Sequence, residues 1–336
     1  MEELLQIEDL SVEFEAVEDE LAKRVVDRIQ ISLREGEAIC LVGESGCGKT
    51  VTALAIMGLL PRSARPLLTG KILFKKQDLL SLKEGVLRGL RGKEISMIFQ
   101  EPMTSLNPVL TIGEQLKEIF KAHRQGMGQD PHNTERSIEE RCVQLLGQVK
   151  LPHPEAIMKA YPHMLSGGQR QRVMIAMAVA LKPSLIIADE PTTALDVTLQ
   201  WEILGLLKEL QGENKSSLIF ITHDLSLVPY VGDRIYVMYM GKIMEEGPVD
   251  EVIINPMHPY TRDLIRAIPD PRKKGKGLSV TRREAWDGRV GDGCRYFPIC
   301  TEAMERCRSY EPYHVGIGPR KVRCHLYGDR GNGSRS

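Results

Sequence analysis

Gly43-Glu44-Ser45-Gly46-Cys47-Gly48-Lys49-Thr50 fits the pattern G-x-x-x-x-G-K-[ST]. It follows a short apolar run, residues 38–42, that reads as a buried strand, and it precedes residues 51–60, which read as a helix. Strand, glycine-rich turn and helix is the context in which this pattern holds phosphate. The glycines let backbone N–H groups curl round the anion, and the helix N-terminus adds its dipole. In that geometry Lys49 reaches the β- and γ-phosphates of a nucleotide and Thr50 holds Mg2+. The bland alternative, a plain glycine-rich turn, sits poorly with a strand before it and a helix after it.

Two further stretches extend the reading. Leu185-Ile186-Ile187-Ala188-Asp189-Glu190 is an apolar strand ending in two acids. Paired carboxylates at the end of a buried strand are costly without a cation. Beside a Mg-nucleotide, Asp189 can bind the metal and Glu190 can polarise the attacking water. Leu165-Ser166-Gly167-Gly168-Gln169 places two glycines before a helix, a second anion-binding N-terminus with Ser166 as its cap. One nucleotide needs one cradle, so the second is expected to serve a partner's γ-phosphate across a dimer.

Elsewhere, residues 4–14, 70–74, 95–99 and 218–221 read as strands and 199–210 as a helix. Residues 112–181 read as helical, broken by a polar loop at 124–133. Alternating strands and helices imply an α/β fold with a largely parallel sheet covered on both faces, and the helical stretch, too long for a crossover, implies an inserted subdomain. Residues 269–277, rich in Pro, Gly and charge, read as a linker. The expected layout is an ATPase domain at 1–268, its helical subdomain at about 106–181, and a linker with a C-terminal extension at 269–336.

Composition sets bounds on function. The 336 residues are 42% hydrophobic and 27% charged, values of a soluble globular chain. No apolar run approaches the roughly 18–20 residues that span a bilayer, so a membrane role has to come through a partner. No basic n-region or apolar h-region opens the chain, and seven cysteines is an odd number, which together favour a reducing compartment. Net charge is zero, yet 15 Lys/Arg stand against 7 Asp/Glu from residue 272 onward, and 30 against 38 before it. A basic tail on an acidic body suggests that the tail faces something anionic, with an ordinary solvated tail as the alternative.

The ordered set GESGCGKT, Gln100, LSGGQ, LIIADE, Ala194-Leu195-Asp196 and His223 resembles that of the ABC ATPases over residues 4–265. The resemblance implies a P-loop NTPase with a RecA-like parallel core and an N-terminal antiparallel β subdomain. It also implies ATP and Mg2+ as ligands, with Gln100 sensing Mg2+ and the permease and joining Thr50 and Asp189 around the metal. Asp196 would link the two sites, and His223 would contact the γ-phosphate. Phe14 would stack on adenine, with plain core packing as the alternative. Because Glu190 and His223 are both present, the chain is expected to supply a competent half-site. Gln100 to Pro108, Tyr161 to Met177 and Asn255-Pro256-Met257-His258-Pro259-Tyr260 further resemble ATPase subunits of the dipeptide/oligopeptide/nickel importers. Met174-Ile175-Ala176-Met177 and the C-terminal cysteines point to the D-type subunit. That implies an F-type ATPase partner, two transmembrane permeases, an extracytoplasmic binding protein, and a place at the cytoplasmic face of the cell membrane. Uptake of nickel or another small solute, an exporter motor, and a soluble ABC ATPase acting on nucleic acid are the alternatives; no nucleic acid is expected.

Cys294, Cys300, Cys307 and Cys324 crowd the last part of the chain without a C-x-x-C pair. Four thiolates on loops suit a [4Fe–4S] cluster. Interleaved Arg295, Arg306, Arg308, Arg320, Lys321 and Arg323 are expected to offset its negative charge. D-type importer ATPases carry a cluster of this form, so the resemblance points the same way. Zinc with His314 or His325 as substitute ligands, and free reduced thiols, are the alternatives.

Overall fold

The computed structural model describes residues 2–15, 23–101, 105–123, 135–193, 195–268 and 292–328. The expected loop at 124–133, residues 102–104, Ala194 and the expected linker at 269–277 lie outside them.

The chain opens with β1 (Glu3–Phe14) and β2 (Lys23–Arg34), an antiparallel pair, followed by the fully buried β3 (Ala38–Val42) and α1 (Lys49–Met57). Strands β4 (Pro66–Phe74) and β5 (Gln77–Asp78) complete a four-stranded antiparallel sheet of order β2-β1-β4-β5. The sequence reading assigns no strand to residues 23–34, although Val26, Ile29, Ile31 and Leu33 are all buried there. The reason is a bulge: Asp9 and Arg28 take positive φ (47° and 48°), and the β1–β2 register shifts between them. The extra residue breaks the period of two by which a strand is recognised.

After α2 (Glu84–Leu90) and β6 (Ile95–Ile98) comes the expected helical insertion: α3 (Ile112–Ala122), α4 (Glu135–Gln148), α5 (Pro154–Lys159) and α6 (Gly167–Val179). Strand β7 (Leu185–Asp189), α7 (Val197–Asn214) and β8 (Ser217–Thr222) return the chain to the sheet. Then follow α8 (Val228–Val231), the hairpin β9 (Arg234–Tyr239) and β10 (Lys242–Pro248), α9 (Val249–Ile254) and α10 (Pro259–Arg266).

Alternate residues of the central strands enter different cores. Cys40, Ala188, Phe220 and Val237 pack with the helical insertion and α7; Leu41, Ile187, Ile221 and Met238 pack with α1 and the antiparallel sheet. A sheet covered on both faces needs apolar side chains at every position. The all-buried stretches of β3, β7 and β8 meet that need. The expected parallel arrangement holds for β9-β3-β8-β7-β6.

The sheet then continues antiparallel through β10 into the C-terminal segment, where α11 (Glu305–Ser309) precedes the hairpin β11 (His314–Ile317) and β12 (Arg320–Arg323). Strand β12 pairs with β10 at Glu245↔Val322 and Glu246↔Lys321. Four basic residues of the tail find anions within the chain. Arg295 pairs with Asp27, Arg320 with Glu245 (2.6 Å), Lys321 with Glu246 (3.0 Å) and Arg323 with Glu311 (2.7 Å). Asp27, Glu245 and Glu246 are buried acids of the body. Buried charges need partners, so Arg295, Arg320 and Lys321 neutralise carboxylates of the body, and Arg323 one within the C-terminal segment.

Candidate functional site

Parallel register brings four strand ends to one edge of the sheet: Val42 lies opposite Thr222, Ile221 opposite Asp189, and Ala188 opposite Ile98. Gly43, His223, Glu190 and Gln100 follow those ends directly or one residue on. The crevice beyond the carboxyl ends of parallel strands is where open α/β sheets bind ligands.

Gly43 has φ 155°, and a Cβ there would stand 2.1 Å from the Met238 carbonyl oxygen. Gly48 has φ 111°, and its Cβ would meet the Val25 carbonyl oxygen at 2.8 Å. Both positions therefore demand glycine, and the loop lies against β9 and β2. No side chain caps α1 at Gly48, so the first N–H groups of that helix stay available to an anion. Lys49 is 4% exposed, and its ammonium folds back on the loop, donating to the carbonyls of Gly43 (2.8 Å) and Glu44 (2.9 Å).

Asp189 is 1% exposed and one of its carboxylate oxygens has no hydrogen-bond partner. Burial pushes its carboxyl up, the Thr50 hydroxyl bond and Lys49 oppose that, and the Glu190 charge adds to it. A buried, half-satisfied carboxylate bonded to Thr50 beside a phosphate loop is a donor set that fits a hard divalent cation.

Glu190 sits at φ 46°, its N–H donating to the Ile221 carbonyl. Three groups meet on its Oε2: Gln100 Nε2 (3.1 Å), Thr193 Oγ1 (2.9 Å) and His223 Nδ1 (3.1 Å). The sequence reading has Glu190, Gln100 and His223 but not Thr193. A threonine three residues beyond an acid in a loop carries no signal of its own.

Ser166 and Gln169 form a reciprocal capping box at the start of α6. Gly168 packs so closely on α7 that a Cβ would lie 2.5 Å from Leu199 Cδ2, and Asp196 caps α7 by accepting from Leu199 N–H (3.0 Å). The Ser166–Gln169 and Asp196 segments thus touch through Leu199, while Ser166, Gly167 and Asp196 stay exposed. Phe14, half-buried at the end of β1, packs on the antiparallel sheet's core.

Cys294, Cys300, Cys307 and Cys324 all line one small cavity of about 10 Å3 together with His258, Tyr296, Met304 and His325. Burial pushes the thiols of Cys294 up to about 12 and Cys324 up to about 11, and the neighbouring thiols add to both. His258, 1% exposed, has a buried Nε2 without a hydrogen-bond partner. His314 lies elsewhere, accepting from Arg323 Nε at 3.2 Å. Among the described residues no three His, Cys, Asp or Glu side chains stand close enough to hold a single metal ion.

Comparison with known proteins agrees with this geometry. A family model described as ABC transporter matches residues 26–193, and one described as oligopeptide/dipeptide transporter, C-terminal region, matches residues 244–307. The dipeptide transport ATP-binding protein DppD of Haemophilus influenzae is 45% identical, with 96% of this chain and 95% of that protein covered. The oligopeptide transport ATP-binding protein AppD of Bacillus subtilis is 42% identical over 98% of this chain and 99% of its own. The dimeric post-hydrolysis structure of the ATP-binding cassette MJ0796 bound to ADP and Pi superposes with TM-score 0.63 at 26% identity, covering 73% of this chain and 98% of that one. Identity of 45% across nearly the whole of both chains, together with both family models, shows that the chain belongs to the ABC transporter ATPases, in the branch that carries the oligopeptide/dipeptide transporter C-terminal region.

Proposed function

We propose that this ATPase powers uptake of di- or oligopeptides from the cytoplasmic face of a membrane, paired with a second, F-type ATPase beneath two permease subunits fed by an extracytoplasmic binding protein. The names of the relatives and the match to the transporter C-terminal region support this. Among the described residues no helix is long and apolar enough to cross a bilayer, so the permeases would supply the span. Residues 1–268 would form the motor and 269–336 its extension.

The observation that carries the ATPase mechanism is the convergence of Gln100, Thr193 and His223 on Glu190 at the strand ends. The loop Gly43-Glu44-Ser45-Gly46-Cys47-Gly48 wraps the phosphates with its N–H groups, and Lys49 exchanges its loop carbonyls for phosphate oxygens. Thr50, Asp189 and Gln100 would hold Mg2+, which supplies charge neutralisation at the phosphates. Glu190 orients the attacking water, and His223 donates toward the charge that develops on the γ-phosphate. Phe14 offers a face to adenine. Ser166, Gly167, Gly168 and Gln169 close on the partner's ATP, and Asp196 ties that contact to the chain's own site through Leu199. The test is Glu190→Gln. Retained MgATP binding with turnover reduced at least a hundredfold is expected, and wild-type turnover would overturn the assignment.

For the cysteine cavity we infer a [4Fe–4S] cluster. Four thiols lining one pocket supply the ligand set of a cube of irons with one cysteine to each. Zinc, the single-ion alternative, fits this spacing less well. Anaerobic purification with iron and sulfide analysis tests it: about four of each per chain is expected, and stoichiometric zinc or no metal overturns it.

A further inference from the structure

The Asn255-to-Tyr260 stretch is prominent in the sequence yet takes no part in the mechanism above. His258 caps α10, its Nδ1 accepting from the Tyr260 N–H at 3.0 Å, and Glu245 holds the main chain just before it, accepting from His258 N–H at 2.8 Å. This fixes Tyr260, which is 2% exposed, and turns its phenol toward the phosphate loop: Tyr260 Oη accepts from the Glu44 N–H at 3.2 Å. The carbonyl of that same peptide unit, on Gly43, accepts from Lys49 Nζ at 2.8 Å. One peptide group of the loop is thus clamped from both sides, by a residue 216 positions away and by the loop's own lysine.

The ring of Tyr260 reaches the cysteine cavity through a second tyrosine. Tyr260 packs on Tyr239 (centroids 4.6 Å apart) and Tyr296 (5.3 Å), and Tyr296 packs on His258 (5.7 Å). His258, Pro259 and Tyr296 are wall residues of the cavity that the four thiols line. A second line runs parallel: Arg295, next to Cys294, donates to the Met240 carbonyl, and the adjoining Gly241 N–H donates to the Cys47 carbonyl of the loop at 2.8 Å.

We propose that Tyr260 is a positioning residue for the phosphate loop, and that through it the packing around the four cysteines sets how tightly the loop grips a nucleotide. The proposal rests on Gly43–Thr50 being the nucleotide loop, but not on what the cavity holds. Iron and sulfide, another group or bare thiols would all act through the same aromatic contacts.

The test is MgADP affinity of the full chain by titration calorimetry, with Tyr260→Phe against wild type. The phenylalanine keeps the ring and removes the acceptor. Affinity is expected to fall about fivefold, the factor that ~1 kcal/mol for one neutral hydrogen bond gives. The unliganded melting temperature should stay near wild type, and the Glu44 amide should exchange its hydrogen faster. Cys307→Ser is expected to weaken binding in the wild-type background and to add nothing in the Tyr260→Phe background. If that serine variant does not fold, Tyr296→Phe, which releases the ring from its bond to Asp263, takes its place. Wild-type affinity in Tyr260→Phe would overturn the positioning role, and effects that simply multiply would overturn the link to the cavity. A wild-type chain that binds no MgADP would instead defeat the nucleotide-loop reading beneath both.

Discussion

At the scale of single residues, the site depends on atoms that leave no room for substitution. Gly43→Ala would press a methyl against the Met238 carbonyl at a φ that side chains rarely adopt, a strain of about 1–3 kcal/mol. A melting temperature lowered by several degrees, with nucleotide binding lost, is the expected result in calorimetry. Thr193→Ala removes one of three donors to Glu190 Oε2. It should lower kcat by about fivefold, as one lost hydrogen bond of ~1 kcal/mol does, while KM for MgATP stays put, and steady-state kinetics separates the two. The acids and the lysine are legible in the sequence because chemistry needs those residue types at the ends of apolar strands. Thr193 and Tyr260 are not, since a threonine in a loop and a tyrosine at a helix start acquire their roles only from what folding sets beside them.

At the scale of elements, the capping box of α6 joins local stability to the exposed signature segment. Ser166→Ala should cost about 1 kcal/mol of stability, visible as a lower denaturant midpoint, while Ser166→Asp, which keeps an acceptor for the Gln169 N–H, restores most of it. The strands β3, β7 and β8 and the helices α6 and α7 are legible because each has the period or the continuous apolar run of its type. Strand β10 escapes that reading for a physical reason. Lys242, Glu245 and Glu246 are all buried in it, so it looks like surface to any argument from hydrophobicity. The groups that make their burial tolerable, Asp27, Arg320 and Lys321, lie far off in the chain.

At the scale of the whole molecule, the C-terminal segment is fastened to the body by charge. Burial works to raise the carboxyls of Asp27 and Glu311, but Lys242, Arg295 and Arg323 outweigh it and hold both below the usual carboxylate range. With folded values below the unfolded ones, this stabilisation is complete above about pH 5 and is lost as pH falls through and below ~4. Melting temperatures measured from pH 7 to pH 3 should therefore decline in acid for the wild type. Asp27→Asn should start lower and decline less. Removing residues 292–336 would bare the edge of β10 and take the Arg320 guanidinium from the Glu245 carboxylate, which is 0% exposed; the truncated chain is expected to aggregate in size-exclusion chromatography. The position of this segment in the sheet was not legible. The sequence reading sees a linker and a cysteine-rich appendage, because pairing between strands this distant leaves no local trace.

The partnership of Glu245 with Arg320 has a consequence for how the protein is made. The arginine follows its carboxylate by 75 residues, and at about 5–20 residues per second the ribosome delivers it several seconds later. Throughout that interval Glu245 has only main-chain partners, the N–H groups of Met257 and His258, and no cation beside it. A chain released before that point would leave the edge of β10 without its neighbour β12, a template for the strand of another copy.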